Sequence, residues 1–164
     1  MDEQLARDNN RWVRYASVVV AVLMIASVVW SMSGAGGVSE QELQTAIHEE
    51  INAEREAAGV GELRHDESMA ANADKYSQRM SDGDWFSHDP PNGAKETASC
   101  GYWGENLLSE PDTVGDPDRI ADRLVSSWMA SEEHKKNILD GGYSRQGIGV
   151  SVDNQIIVTQ RLCG

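Results

Sequence analysis

Lysine occurs only four times in this chain of 164 residues (Lys75, Lys95, Lys135 and Lys136), and cysteine only twice. Two cysteines are too few for a disulfide-framework mini-protein or a four-cysteine zinc site. The shortage of lysine leaves 14 basic residues against 27 acidic ones, a formal net charge of −13. Such a chain lacks the clustered cations that phosphate binding needs, which excludes nucleic acid as a partner. Internal repeats are absent, and the only low-complexity stretch is a short Gly/Ser run at residues 33–38. Residues 1–36 hold three acids and three bases, so the remainder keeps the full −13. A lysine-poor, acid-rich surface resembles that of halophilic proteins, where it keeps the protein hydrated; a solvated acidic exterior without special meaning is the alternative.

Apolar residues make up 40% of the chain and include five tryptophans, which a disordered tail would not carry. The length allows one domain of ordinary size. A separate object precedes it. Tyr15 to Ser39 contains no charge, and Ala16 to Trp30 is apolar apart from Ser17 and Ser27. About 20 helical residues cross a bilayer core of about 30 Å. Arg7, Arg11 and Arg14 precede the run and Glu40 and Glu42 follow it, which places the N-terminus in the cytoplasm by the positive-inside rule. The expected organisation is a cytoplasmic segment at 1–14, a transmembrane signal-anchor at 15–33, a linker at 34–38 and an extracellular domain at 39–164. Ser33-Gly34-Ala35 also suits a signal peptidase, so secretion after cleavage is the rival reading.

In the outer domain, Ser39-Glu40-Gln41-Glu42 is a capping box, with Leu43, Ile47 and Ile51 on one helical face before Gly59 and Gly61. Asp66 suits the N-cap of a second helix whose inner face is Met69, Ala73, Tyr76 and Met80, with Gly83 as its stop. Residues 82–104 are rich in turn formers and read as an irregular loop, with Asp89-Pro90-Pro91-Asn92-Gly93 as its turn. Asp116-Pro117 opens a third helix with Ile120, Leu124 and Trp128 as its buried stripe, and Ser131 caps a short fourth one. Alternation at Ile148, Val150 and Val152, a turn at Asp153-Asn154 and a return from Ile156 to Leu162 predict a hairpin. The expected class is α+β, with helices covering a small antiparallel sheet.

Four pieces carry chemistry: Trp85-Phe86-Ser87-His88, Gly104-Glu105-Asn106, Trp128 through His134 to Asn137, and Gly147-Ile148-Gly149. With the helix pattern Ile51-Asn52-Ala53-Glu54-Arg55, their order resembles the CAP superfamily (cysteine-rich secretory proteins, antigen 5 and pathogenesis-related-1 proteins; also called SCP), most closely its short prokaryotic branch. The resemblance runs from about Leu43 to Cys163. It implies an α–β–α sandwich with a cleft in which His88 and His134 can bind a divalent metal, zinc or magnesium, beside Glu105. The second acid of many members falls on Ser131, so the acid pair is incomplete; Glu132 and Glu133 are its neighbours.

On their own chemistry, two neutral imidazoles can ligate a metal, with Glu105 as third ligand or as a partner behind a ring. The same three side chains can instead form a purely structural polar cluster. His48 and His65 read as surface residues. Asn106 and Asn137 read as loop fasteners, because an amide satisfies several backbone groups at once. Trp85, Phe86, Tyr102 and Trp103 flank the cleft, as a wall for an apolar ligand or as ordinary core. Cys100 and Cys163 pair if the domain is outside the cell, or stay as two buried thiols. Functionally the resemblance implies a module that binds a lipid, a surface component or a protein. A metal-assisted hydrolase of extracellular polymer or peptide, with Glu105 as base, and a purely structural surface module are the alternatives.

Overall fold

The computed structural model describes residues 37–88 and 100–164. The expected cytoplasmic segment, the transmembrane helix and the Asp89–Gly93 turn lie outside the described residues. Among the described residues, no helix is long and apolar enough to cross a membrane. The folded unit runs from Gly37 to Gly164. Its first residues do not behave as linker: Val38 is buried, and its N–H donates to Thr113 O at 3.3 Å.

Helix α1 (Glu40–Ala57) starts where the capping box predicts, with Ser39 accepting the Glu42 N–H, and its buried face is Leu43, Ala46, Ile47, Ile51 and Arg55. Gly59, at φ 71°, takes the left-handed conformation that lets the chain leave the helix. A two-residue strand β1 (Arg64–His65) follows, then α2 (Glu67–Gly83), capped by Asp66 and buried through Met69, Ala70, Ala73, Tyr76, Ser77 and Met80. Strand β2 (Trp103–Glu110), helix α3 (Pro117–Ala130), helix α4 (Glu132–Ile138) and strands β3 (Arg145–Val152) and β4 (Ile156–Cys163) complete the order.

The four strands lie in the order β1-β3-β4-β2. The sheet is mixed, which corrects the expectation of an antiparallel one: β1 pairs parallel with β3, placing Arg64 against Arg145. Two residues are too short to show alternation in a sequence. Strand β1 covers only the start of β3. Farther along, carboxylates take over the open edge, Asp74 accepting the Val150 N–H and Glu40 the Val152 N–H.

Strand β2 is the larger correction, because its first residues, Trp103 and Gly104, close the stretch that reads as irregular loop, and the expected order holds no strand before the hairpin. All eight pair antiparallel with β4, from Trp103 against Cys163 to Glu110 against Ile156. Its buried positions include Glu105 and Asn106, so the apolar alternation that marks a strand is missing from the sequence.

Helices cover both faces. The larger core gathers Leu43, Ile47 and Ile51 of α1 with Ile120, Leu124 and Trp128 of α3 against Ile148, Val150 and Val158. On the other face Tyr76 and Met80 of α2 meet Leu107 and Ile157. Helix α2 lies so close to β3 that a Cβ at Gly149 would overlap backbone atoms of Ala73 and Asp74, and one at Gly147 would overlap Met69 and Ala70. Ser77 locks the contact by donating to Gly149 O at 3.1 Å and bonding the Thr159 hydroxyl at 2.8 Å. Gly149→Ala is therefore expected to lower the unfolding free energy by about 3 kcal/mol, since backbone, not a flexible side-chain tip, has to move. Gly61→Ala, where nothing lies within 4 Å, is the control. Equal urea midpoints for the two variants would overturn the close-packing account.

Candidate functional site

The site forms where β2 runs along the edge of the sheet between α2 and α4. His88 follows α2, beyond the left-handed Asp84 (φ 51°) that ends the helix. Tyr76 holds the approach by donating its hydroxyl to Ser87 O at 2.8 Å. Glu105 is the third residue of β2 and is buried. Its Oε1 meets His88 Nδ1 at 2.9 Å, while the His88 side chain itself stays 63% exposed.

Sequence reasoning missed Arg161. It faces Glu105 across the β2–β4 ladder, and its Nη2 lies 3.6 Å from Glu105 Oε2. It is buried, with its guanidinium over the Tyr76 ring at 5.2 Å. The available signal was a charged residue within an otherwise uncharged strand, Ile156 to Cys163. The Glu105 carboxylate thus lies between an imidazole at the surface and a guanidinium in the core.

His134 stands on α4, half-buried. Burial holds its imidazole below the ordinary histidine range, and His88 pushes it the same way against the opposing pull of Glu133. Ser131 is the N-cap of α4, but its side chain makes no capping bond. Asn137 and Asn106 tie helix to strand as fasteners do. Asn137 Nδ2 donates to Glu105 O at 3.3 Å and to Asn106 Oδ1 at 2.8 Å, and Asn106 Nδ2 donates to His134 O at 3.3 Å.

The Cys100–Cys163 disulfide is present, with Cα atoms 5.4 Å apart, and it pins the start of β2 to the end of β4. Two buried free thiols are thereby excluded.

Three comparisons bear on this arrangement. The profile of the cysteine-rich secretory protein family, CAP, matches residues 48–161. The chain belongs to the CAP family. Over 118 residues it is 30% identical to the uncharacterized protein YkwD of Bacillus subtilis strain 168, covering 72% of this chain and 46% of that one, so it spans less than half of that relative. The fold matches an extracellular SCP-domain protein of Bacillus anthracis strain Ames, with a TM-score of 0.63 and 24% identity over 79% of this chain and 45% of the other. It also matches NaASP2, solved with Zn2+, with a TM-score of 0.61 and 15% identity over 79% and 82% of the two chains.

In this CAP domain the donor set for a metal is two imidazoles. Among the described residues, no three His, Cys, Asp or Glu side chains converge to hold an ion. Glu105 sits behind His88 at Nδ1, which leaves Nε2 as the ring atom a metal would take. This is the carboxylate–histidine arrangement that orients a ligand ring and raises its basicity. Were a divalent ion bound here, His88 Nε2 and His134 would offer it ring nitrogens, and water would have to fill the remaining positions.

Two expectations need correction. Trp85, Phe86, Tyr102 and Trp103 are 40–50% exposed, so they are not core. His48 is not a simple surface residue. It is half-buried, and both its ring nitrogens meet side-chain amides. Trp128 is core as expected, with its Nε1–H donating to Leu107 O at 3.1 Å.

Proposed function

We propose that this CAP protein acts outside the cell, held by the apolar segment at 15–33, as a recognition module for a lipid, a surface component or a protein. Its cleft takes up a divalent cation weakly through His88 and His134. The observation that carries this reading is the position of Glu105. A general base needs a free carboxylate oxygen facing the water it activates. Here Oε1 is spent on His88 and Oε2 faces buried Arg161, so the carboxylate orients a ring instead of acting on substrate. The absence of an acid at Ser131 points the same way. The exposed Trp85, Phe86, Tyr102 and Trp103 supply apolar surface beside the cation.

The test is calorimetric titration of the full chain in detergent with zinc and with magnesium, beside His88→Ala and His134→Ala. Saturable zinc binding, weakened at least about tenfold in each variant, is the expected result; a loss of one of two ligand bonds exceeds the 1.4 kcal/mol that tenfold represents. Equal binding in wild type and both variants would remove the cation from the proposal. Metal-dependent hydrolysis of a polymer or peptide, abolished in Glu105→Gln, would replace recognition by catalysis.

A further inference from the structure

A line of side-chain amides crosses the sheet from the site to the far side of the domain. Asn137 Nδ2 donates to Asn106 Oδ1 at 2.8 Å, Asn106 Nδ2 to Gln160 Oε1 at 2.8 Å, and Gln160 Nε2 to Gln146 Oε1 at 2.8 Å. Gln146 Nε2 then meets His48 Nδ1 on α1 at 2.9 Å. Asn106, Gln146 and Gln160 are fully buried. Every donor points the same way, from α4 towards α1.

Backbone fixes that polarity at the site end. Asn137 also donates to Glu105 O and Asn106 also donates to His134 O, so turning either amide would set oxygen against oxygen. The opposite end is mismatched. Because Gln146 presents an N–H, His48 Nδ1 has to accept, and the ring proton belongs on Nε2. Yet Nε2 faces Asn52 Nδ2 at 3.3 Å. Asn52 cannot turn to offer its oxygen, since Leu63 holds both its ends, N–H to Oδ1 at 2.8 Å and O to Nδ2 at 3.0 Å. His48 thus stands between two donors with one lone pair to give.

The reversed line has the opposite merits. With the ring neutral, Gln146 would turn its oxygen to His48, the one ring proton would sit on Nδ1, and Nε2 would accept from Asn52. At the site, Asn106 and Asn137 would lose their bonds to His134 O and Glu105 O. The two ends compete for one orientation of four amides.

We infer that this line is a two-state relay: protonation of His48 at Nδ1 reverses it and withdraws the side-chain donors that hold the backbone carbonyls of Glu105 and His134. The added proton has only Nδ1 to occupy, because Nε2 keeps its hydrogen, and an Nδ1–H requires an oxygen opposite it; Nε2–H still faces Asn52 in the protonated ring, so the reversal is driven at Gln146 alone. The groups facing His48 set where this happens. Glu49 on α1 and Glu62 before β1 favour the proton. His65 on β1, with its ring 5.8 Å away and edge-on, opposes it, and burial opposes it most. Glu67 and Asp74 of α2 line, with His48 and His65, a separate cleft of about 430 Å³. The balance holds His48 below the ordinary histidine range, so the relay stays in its site-holding state at neutral pH.

The test is NMR of the isotope-labelled full chain in detergent. Near neutral pH, His48 is expected as the Nε2–H tautomer. On acidification, the side-chain NH2 signals of Gln160, Asn106 and Asn137 are expected to shift with the midpoint of His48. Gln160→Met cuts the line, so the His48 midpoint should vanish from Asn137 while any inflection belonging to His134 stays. An Nδ1–H tautomer at neutral pH overturns the relay. So does an Asn137 signal in the wild-type chain that ignores His48, or one that still follows it in Gln160→Met; the wild-type titration decides even if that variant does not fold.

Discussion

Arg55→Met is expected to lower the unfolding free energy by about 5 kcal/mol, among the largest effects a single substitution produces. Arg55 is buried on the inner face of α1. Its guanidinium binds four backbone carbonyls: Nε donates to Gly61 O at 2.7 Å, Nη1 to Ile138 O at 2.6 Å and Asp140 O at 3.0 Å, and Nη2 to Tyr143 O at 3.3 Å. Two of these acceptors sit at the C-terminal end of α4, where helical carbonyls lack partners of their own and a cation is favoured. Methionine fills much of the volume but removes the donor from the Ile138 and Tyr143 carbonyls, whose bonds to Arg55 are buried. Lysine at this position has one ammonium and cannot span the set, so Arg55→Lys should recover only part of the loss. Urea unfolding of both variants checks this. A loss below about 1 kcal/mol for Arg55→Met would mean that the loop from Ile138 to Tyr143 finds other donors.

Removing the disulfide is expected to be nearly as damaging. Cys100 and Cys163 are 63 positions apart. Closing a loop of that size restricts the unfolded chain enough to stabilise the folded one by about 4 kcal/mol. The bond also fastens the entry to an edge strand, since Trp103 pairs with Cys163 and Glu105 lies two residues farther along. Arg145 completes the corner, its Nη2 donating to Cys163 Sγ at 2.9 Å and its Nη1 pairing with Asp66 at 2.7 Å. Unfolding of the Cys100→Ser, Cys163→Ser double variant, compared with wild type under oxidising and reducing conditions, separates the contributions. The reduced wild type should match the double variant. Equal stability of oxidised and reduced wild type would show that the crosslink restrains nothing the unfolded chain explores.

Much of this domain was legible because its signals are local. Ser39, Asp66 and Asp116 each cap the helix that sequence assigned to them. The stripes Leu43-Ile47-Ile51, Met69-Ala73-Tyr76-Met80 and Ile120-Leu124-Trp128 are all buried. The hairpin from Arg145 to Cys163 forms around Asp153-Asn154. The order and spacing of the motifs around His88, Glu105 and His134 carried the family resemblance, and the fold brings His88 and Glu105 into contact.

What the sequence determined by itself was therefore everything set by neighbours along the chain: the helix caps, the apolar faces, the hairpin turn and the family motifs. The tertiary structure alone decided the rest. Strand β2 is buried through Glu105 and Asn106, which become strand residues only once Arg161 and Gln160 stand opposite them. The role of Glu105 as a support for His88, the need for glycine at 147 and 149, and the partners of Arg55 and His48 likewise depend on residues far away in the chain. A polar group carries no mark of whether it will face water or a distant partner. That outcome is settled by which surfaces the folded chain brings together, since burial without a partner is penalised and burial with one is not.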